Sequence, residues 1–427
     1  MKSLKSFLAQ INASRYYPLG LLFLIALAVI LRIYALPILG FHGDFQIFNL
    51  WGDQLDQAGF TQFYELSRSN YLPIYVYILK FSNLIQPLIH GLNQSWSTDQ
   101  VNWISYKFPC LIFDLGTAYF IYLLIRRKTQ NVALALWGVI FYLYNPVLFH
   151  NTYIYGQNNV LLYLPTIALL YTLDLKKYIW AGIAFAAMLL IKPTGIIIAP
   201  IVILFLILAI KKDYKSYLKF VLSAYFTIQI LILPFFFRLP TDYLKFFFDS
   251  LTSGNGYKVT QMYSYNLWYL LTGSGAVSDA TLFHGRSYNF WGQVMFALSY
   301  LISFVLMYLA RAKNYLIILT VIYFCFFIFP TRVHEGYLLF AFPIFILTIF
   351  IYRSYILGLI YLLSLLAYSY NIWGYWPWKL ITYLPLYYGG RFANTAALLI
   401  VLTPLALVCY FVYVRMVKNQ KTPNEII

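Results

Sequence analysis

The chain has 427 residues, of which 62% are hydrophobic and only 10% charged. That leaves too little polar surface to solvate a globule of this size and excludes an ordinary soluble enzyme or binding module. A formal charge of +17 would point to nucleic acid in a soluble protein, but these lysines and arginines stand at the ends of apolar runs, so the partner implied is the lipid bilayer and no nucleic acid.

The expected fold is an all-α polytopic membrane protein, a single domain over residues 1–427 with about 12 transmembrane helices. The first span covers about Pro18–Leu36; basic residues precede it and no convincing cleavage site follows, so it reads as a signal anchor. A long polar stretch, 37–107, comes next and carries Asp44, Asp53, Asp56, Glu65 and Asp99. Within it, Tyr71–Leu92 is apolar enough to pass for a span. Counting it as one would invert every later loop, so an interfacial helix is expected there. The remaining spans fall at roughly 108–125, 132–150, 158–173, 178–191, 194–210, 218–237, 290–310, 314–330, 337–352, 355–371 and 393–414. Two further outer loops run over 238–289 and 371–391.

The orientation follows from the basic clusters. They are Lys2/Lys5/Arg15, Arg126-Arg127-Lys128, Lys176-Lys177, Lys211-Lys212/Lys215/Lys219, Arg311/Lys313, Arg353 and Arg415/Lys418/Lys421. Assigning them all to the cytoplasm puts both termini there and every second loop outside. Those outer segments hold most of the 13 acidic residues, and all five histidines lie in them or at their edge. Chemistry is therefore expected at the extracytoplasmic face of a multi-pass plasma (inner) membrane protein. The Lys192-Pro193 turn sits between two short apolar segments. Proline breaks the helix there, and a lysine at that depth is costly unless it faces a wet, anionic cavity. Cys110, Cys325 and Cys409 fall in apolar runs, with no metal spacing and no disulfide framework.

Asp44, in Phe41-His42-Gly43-Asp44, follows the first span closely. A carboxylate just above the membrane can take a proton from a substrate hydroxyl. It can also cap the helix that Phe45–Trp51 announces, and residue preference alone favours the cap. Other polar groups mark the outer ends of later helices: Tyr155-Gly156-Gln157-Asn158-Asn159, Lys192, and Arg332-Val333-His334-Glu335-Gly336-Tyr337. Lys192, Arg332 and His334 are the candidate ligands of a donor phosphate, since charge-assisted bonds to phosphate oxygens are strong.

Taken in order, the motifs resemble a family. A first-loop Gly43-Asp44 is followed by Tyr71-Leu72-Pro73-Ile74-Tyr75, Lys107-Phe108-Pro109, Phe113-Asp114-Leu115, Asn145-Pro146, Tyr155-Gly156-Gln157, Lys192-Pro193 and His334-Glu335-Gly336-Tyr337. The chain resembles the polytopic glycosyltransferases of the GT-C fold, and within them the bacterial relatives of the mannosyltransferase that adds the second mannose in GPI-anchor assembly. The likeness covers about residues 40–340. Members usually read Tyr-Pro-Pro at Tyr71-Leu72-Pro73, Trp-Gly-Gln-x-Asp at Tyr155–Asn159 and His-Glu-Arg-Tyr at His334–Tyr337. This chain has Asn159 in place of a carboxylate and Gly336 in place of an arginine. The resemblance puts the first-loop aspartate on Asp44. His42, Asn70, Tyr71, Gln157, Asn159, Glu335 and Tyr337, in or beside these motifs, are the candidate sugar and acceptor contacts.

The function expected is transfer of a single hexose, mannose by the resemblance, from a polyprenyl-phosphate donor to a lipid or glycan acceptor. A nucleotide-sugar enzyme would need a soluble dinucleotide-type domain, and none is present. One displacement at the anomeric carbon implies inversion, with tyrosines and tryptophans of the first loop and of Asn371–Trp378 lining the sugar. The competing readings are a transporter or lipid-linked glycan flippase, and a glycan polymerase or ligase. A transporter would place ionisable groups near the midplane, whereas here they gather at the outer boundary. No metal ligand set and no cofactor are assigned; a divalent cation stays open, because Asp44 lacks a carboxylate partner at ligand spacing.

Overall fold

The structure, a computed structural model, describes residues 17–210, 213–235, 240–252, 258–310, 314–375 and 389–418. Lys2, Lys5, Arg15, Lys211, Lys212, Arg311, Lys313, Trp378 and Lys421, used above, lie outside the described residues.

The protein is all-α and polytopic. Among the described residues seven helices are long and apolar enough to cross a membrane: Pro18–Ala35, Thr98–Thr129, Pro193–Ile210, Tyr288–Leu309, Glu335–Tyr352, Tyr355–Gly374 and Ala393–Met416. An eighth forms if Val132–Leu143 and Pro146–Tyr155, bent by 47° where they join, count as one span. Asn159–Asp174, Tyr178–Ile191 and Tyr315–Ile328 are apolar but shorter. Tyr214–Ile232, interrupted by Lys215, Lys219 and Gln229, is not among the seven. Neither is Pro73–Leu92, which packs on Thr98–Thr129 and Tyr178–Ile191.

Helix Thr98–Thr129 begins some ten residues before the span expected at 108–125. Its start is a capping box: Gln100 N–H donates to Ser97 Oγ, and Ser97 N–H donates to Gln100 Oε1. At 32 residues it is roughly 48 Å long against a hydrocarbon core of ~30 Å, so its first turns lie beyond the apolar layer when its C-terminal part is embedded.

The bent span has an identifiable cause. Pro146 opens the second segment, and the Asn145 side-chain oxygen Oδ1 accepts the backbone N–H groups of Val147 and Leu148 at 3.1 Å each. The Asn145 amide also donates to the Tyr361 hydroxyl at 2.9 Å. A π-helical turn, His150–Tyr155, then ends at Gly156, whose φ is +90°.

Charge ties the ends together. At the basic end of the bundle Asp174 pairs with Arg127 (2.6 Å) and Lys128, and the Arg353 guanidinium donates to Thr129 O at 2.8 Å. Three of the basic segments thus share one face of the molecule. Deeper in, Arg32 Nε meets Asp114 Oδ2 at 2.7 Å, both residues buried. Tyr142 and Tyr153 donate their hydroxyls to the same carboxylate at 2.5 and 2.9 Å, and Arg32 also donates to Leu143 O at 2.7 Å. Every partner in this network is satisfied, so its burial fixes how the first helix docks more than it adds net stability.

Candidate functional site

The site forms at the N-terminal end of helix Thr98–Thr129, opposite the basic cluster at its C-terminus. Phe41 brings the first loop there. Its N–H donates to Tyr155 O at 2.8 Å, and its ring stacks on Tyr155 with centroids 5.3 Å apart. Phe41 is the extended N-cap of the helical segment His42–Ser67, which is broken by a kink at Gly59. Asp44 therefore sits inside the first turn and caps nothing: the capping role expected for it is corrected, because the helix starts two residues before it. Its carboxylate instead accepts a hydrogen bond from the Gln157 side-chain amide.

Gln157 owes its place to two glycines. A Cβ on Gly156 would overlap the ring of Trp103, and its positive φ is one that few other residues adopt. A Cβ on Gly40 would overlap Tyr155 O. Both backbones can therefore close on Trp103, and the Gln157 N–H is anchored on Asn151 O at 2.9 Å.

Lys192 comes from a third direction, at the helix break before Pro193. It is 6% exposed, and its Nζ donates to Asn159 Oδ1 at 2.8 Å and lies 4.7 Å from the centroid of the Tyr71 ring. Asn159 in turn donates to Asn151 Oδ1 at 3.2 Å, and the Tyr71 hydroxyl donates to Asn158 Oδ1 at 3.3 Å. No ion pair engages Lys192 among the described residues.

The fourth side is the segment before helix Ala341–Tyr352. Residues 331–335 lie against 258–264: Met262 N–H donates to Val333 O (3.0 Å), Glu335 N–H to Met262 O (3.2 Å), and Ser264 Oγ to Val333 O (2.7 Å). His334 Nδ1 is 3.8 Å from Glu335 Oε2, and its ring lies 5.5 Å from Tyr337, which stacks on Phe326. Gly336 is so close to Asn159 that a Cβ would meet its amide nitrogen at 3.1 Å. The two charge-losing departures from the resembled motifs are thus neighbours in space.

Electrostatics join these segments. Burial, reinforced by the Glu335 charge and opposed by Lys192 and His334, raises the Asp44 carboxyl from 3.8 to about 6. A carboxylate with that value is ionised at neutral pH yet basic enough to take a proton.

The structure thus brings together Asp44, Gln157, Asn159, Lys192, Tyr71, His334, Glu335 and Tyr337. Arg332 points elsewhere: its Nε meets Asp279 Oδ2 at 2.7 Å, and that carboxylate, 2% exposed, also accepts the Thr331 hydroxyl. His42 is exposed and bonds Gln46 one turn on. Asn70 lies on the connector just before Tyr71. Asn371 is buried and holds the backbone of Tyr263 and Tyr265, at 2.6 and 3.1 Å. Among the described residues no three His, Cys, Asp or Glu side chains converge as a metal site. Trp103, Asn151, Arg32 and the use made of Lys107 escape the sequence reading, although Arg32 and Asp114, opposite charges inside separate apolar runs, were a readable signal.

The profile of glycosyltransferase family 87 matches residues 101–330, more than half of the chain. The chain belongs to glycosyltransferase family 87. No curated protein matches it. As a family 87 member it is an integral membrane glycosyltransferase, which moves a sugar from a donor to an acceptor. The matched region holds Gln157, Asn159 and Lys192, whereas Asp44, His334 and Glu335 lie outside it.

Proposed function

We propose that this family 87 glycosyltransferase transfers a single hexose, mannose by the narrower likeness to the GPI second-mannose enzymes, from a polyprenyl-phosphate donor. The acceptor is a lipid or glycan at the extracytoplasmic face. The observation that carries the reading is the half-buried Asp44 carboxylate, oriented by Gln157 and within electrostatic reach of Lys192 and His334.

In this reading the acceptor oxygen attacks the anomeric carbon while its proton passes to Asp44. The bond from that carbon to the lipid-phosphate oxygen breaks, and the electron pair leaves with the phosphate. Lys192 and His334 stabilise the growing charge. Arg332, already paired with Asp279, acts by holding the segment that presents His334. Tyr71, Asn159, Glu335 and Tyr337 flank the sugar, and one displacement inverts the anomeric centre. The purified protein, given radiolabelled polyprenyl-phosphate mannose, glucose and arabinose in membrane extract, should transfer label from one of them as a single sugar. Label carried over only as whole glycan chains would replace this reading with a polymerase or ligase.

A further inference from the structure

We propose that Lys107, seated against the ring of Trp103, is a positioning residue that clamps the segment carrying Asp44 to the segment carrying Gln157. The inference rests on the reading of Asp44 as the base. The two side chains stand one turn apart on helix Thr98–Thr129 and share a face. Lys107 is 1% exposed, and no carboxylate pairs with it among the described residues. Its Nζ donates to Ile38 O and to Tyr153 O, each at 2.6 Å, and lies 4.9 Å from the Trp103 ring centroid.

Those two carbonyls belong to different parts of the site. Ile38 is in the linker that leads to Asp44, and Tyr153 is in the π-helical turn that leads to Gln157. Trp103 continues the same contact, stacking on Phe45 at 4.6 Å and filling the space beside Gly40 and Gly156. An ammonium buried without a counter-charge is costly. One whose donors go to main-chain carbonyls fixes backbones, and these two carry the proposed base and the amide that orients it.

Lys107→Met keeps the stem and removes both ties. It should lower kcat by ~10²-fold while donor KM stays within about threefold, since a misplaced catalytic group slows the chemical step more than it weakens binding. Phe41 and Tyr155, whose backbones are hydrogen-bonded at 2.8 Å, can report on the clamp as Phe41→Cys/Tyr155→Cys in a Cys409→Ser background. There, Lys107→Met should slow oxidative bridging, and the formed disulfide should restore at least about a tenth of the lost kcat by holding the two segments together. Unchanged kcat, unchanged bridging, or no rescue on oxidation would each overturn the clamp. If Lys107→Met does not fold, Trp103→Phe, which thins the platform, decides by the same bridging and rescue readouts. Should Asp44→Asn retain turnover, the reading of the base fails, while the bridging rate still tests the clamp by itself.

Discussion

With its carboxyl raised to about 6, Asp44 changes charge within a pH range that membrane enzymes can be assayed in. Turnover should fall as pH drops through 6, because the protonated acid can no longer accept the acceptor's proton. Folding stability should run the other way. The folded state prefers the proton, so this residue's contribution is full below its ordinary 3.8 and is lost as pH rises through about 6. Asp44→Asn should remove turnover by a factor on the order of 10²–10⁴ and abolish the acidic limb of the rate profile, with donor affinity near that of the parent. Transfer within a few-fold of the parent would sink the base. Lys192→Ala should weaken donor binding, and Lys192→Arg should keep part of it, since the charge persists in a different shape. Arg332→Gln, by contrast, should lower thermal stability by about 1–3 kcal/mol, leaving buried Asp279 short of a partner. Its donor affinity should stay closer to the parent's than that of Lys192→Ala, and a binding assay alongside a melt separates the two.

The breaks in the helices carry as much of the site as the helices do. Asn145 both starts the second segment of the bent span and holds Tyr361. Asn145→Ala should cost about 1–2 kcal/mol in a melting experiment, whereas Tyr361→Phe should cost less because the cap survives. The break at Lys192-Pro193 was legible in the sequence, since proline cannot continue a helix and the lysine before it had nowhere cheap to go. The early start of Thr98–Thr129 was equally legible in Ser97 and Gln100, but hydropathy looks for apolar runs and passes over a polar first turn. Asp44 misled for a local reason: a Gly-Asp before an apolar run is a good cap, and only the long-range bond from Phe41 to Tyr155 pulls the helix start back to His42. The π-helical turn has no such local mark. It ends where Gly156 closes on Trp103, a contact made across some fifty residues of chain and invisible to any short window.

Across the whole molecule, the basic segments that meet around Asp174 and Arg353 lie at one end, and the proposed site lies at the other. In intact cells a cysteine at Gln94 should react with an impermeant maleimide and one at Asn131 should not, in a Cys409→Ser background. Labelling at Asn131 from outside would turn the topology over and move the site to the opposite compartment. Arg32 and Asp114 have a bearing on how the protein is made. Each enters the membrane on its own helix, separated by about eighty residues of synthesis, and each alone costs ~2.5–3.5 kcal/mol on insertion scales. Until Asp114 emerges, Arg32 is a charge without its partner, and the first helix is incompletely assembled. Asp114→Leu should therefore lower the amount of protein that accumulates in cells, through quality control, before any effect on turnover is measured. Pairing it with Arg32→Leu should recover part of that yield, the outcome expected if docking of the first helix on helix Thr98–Thr129 is a step the cell inspects before the protein is kept.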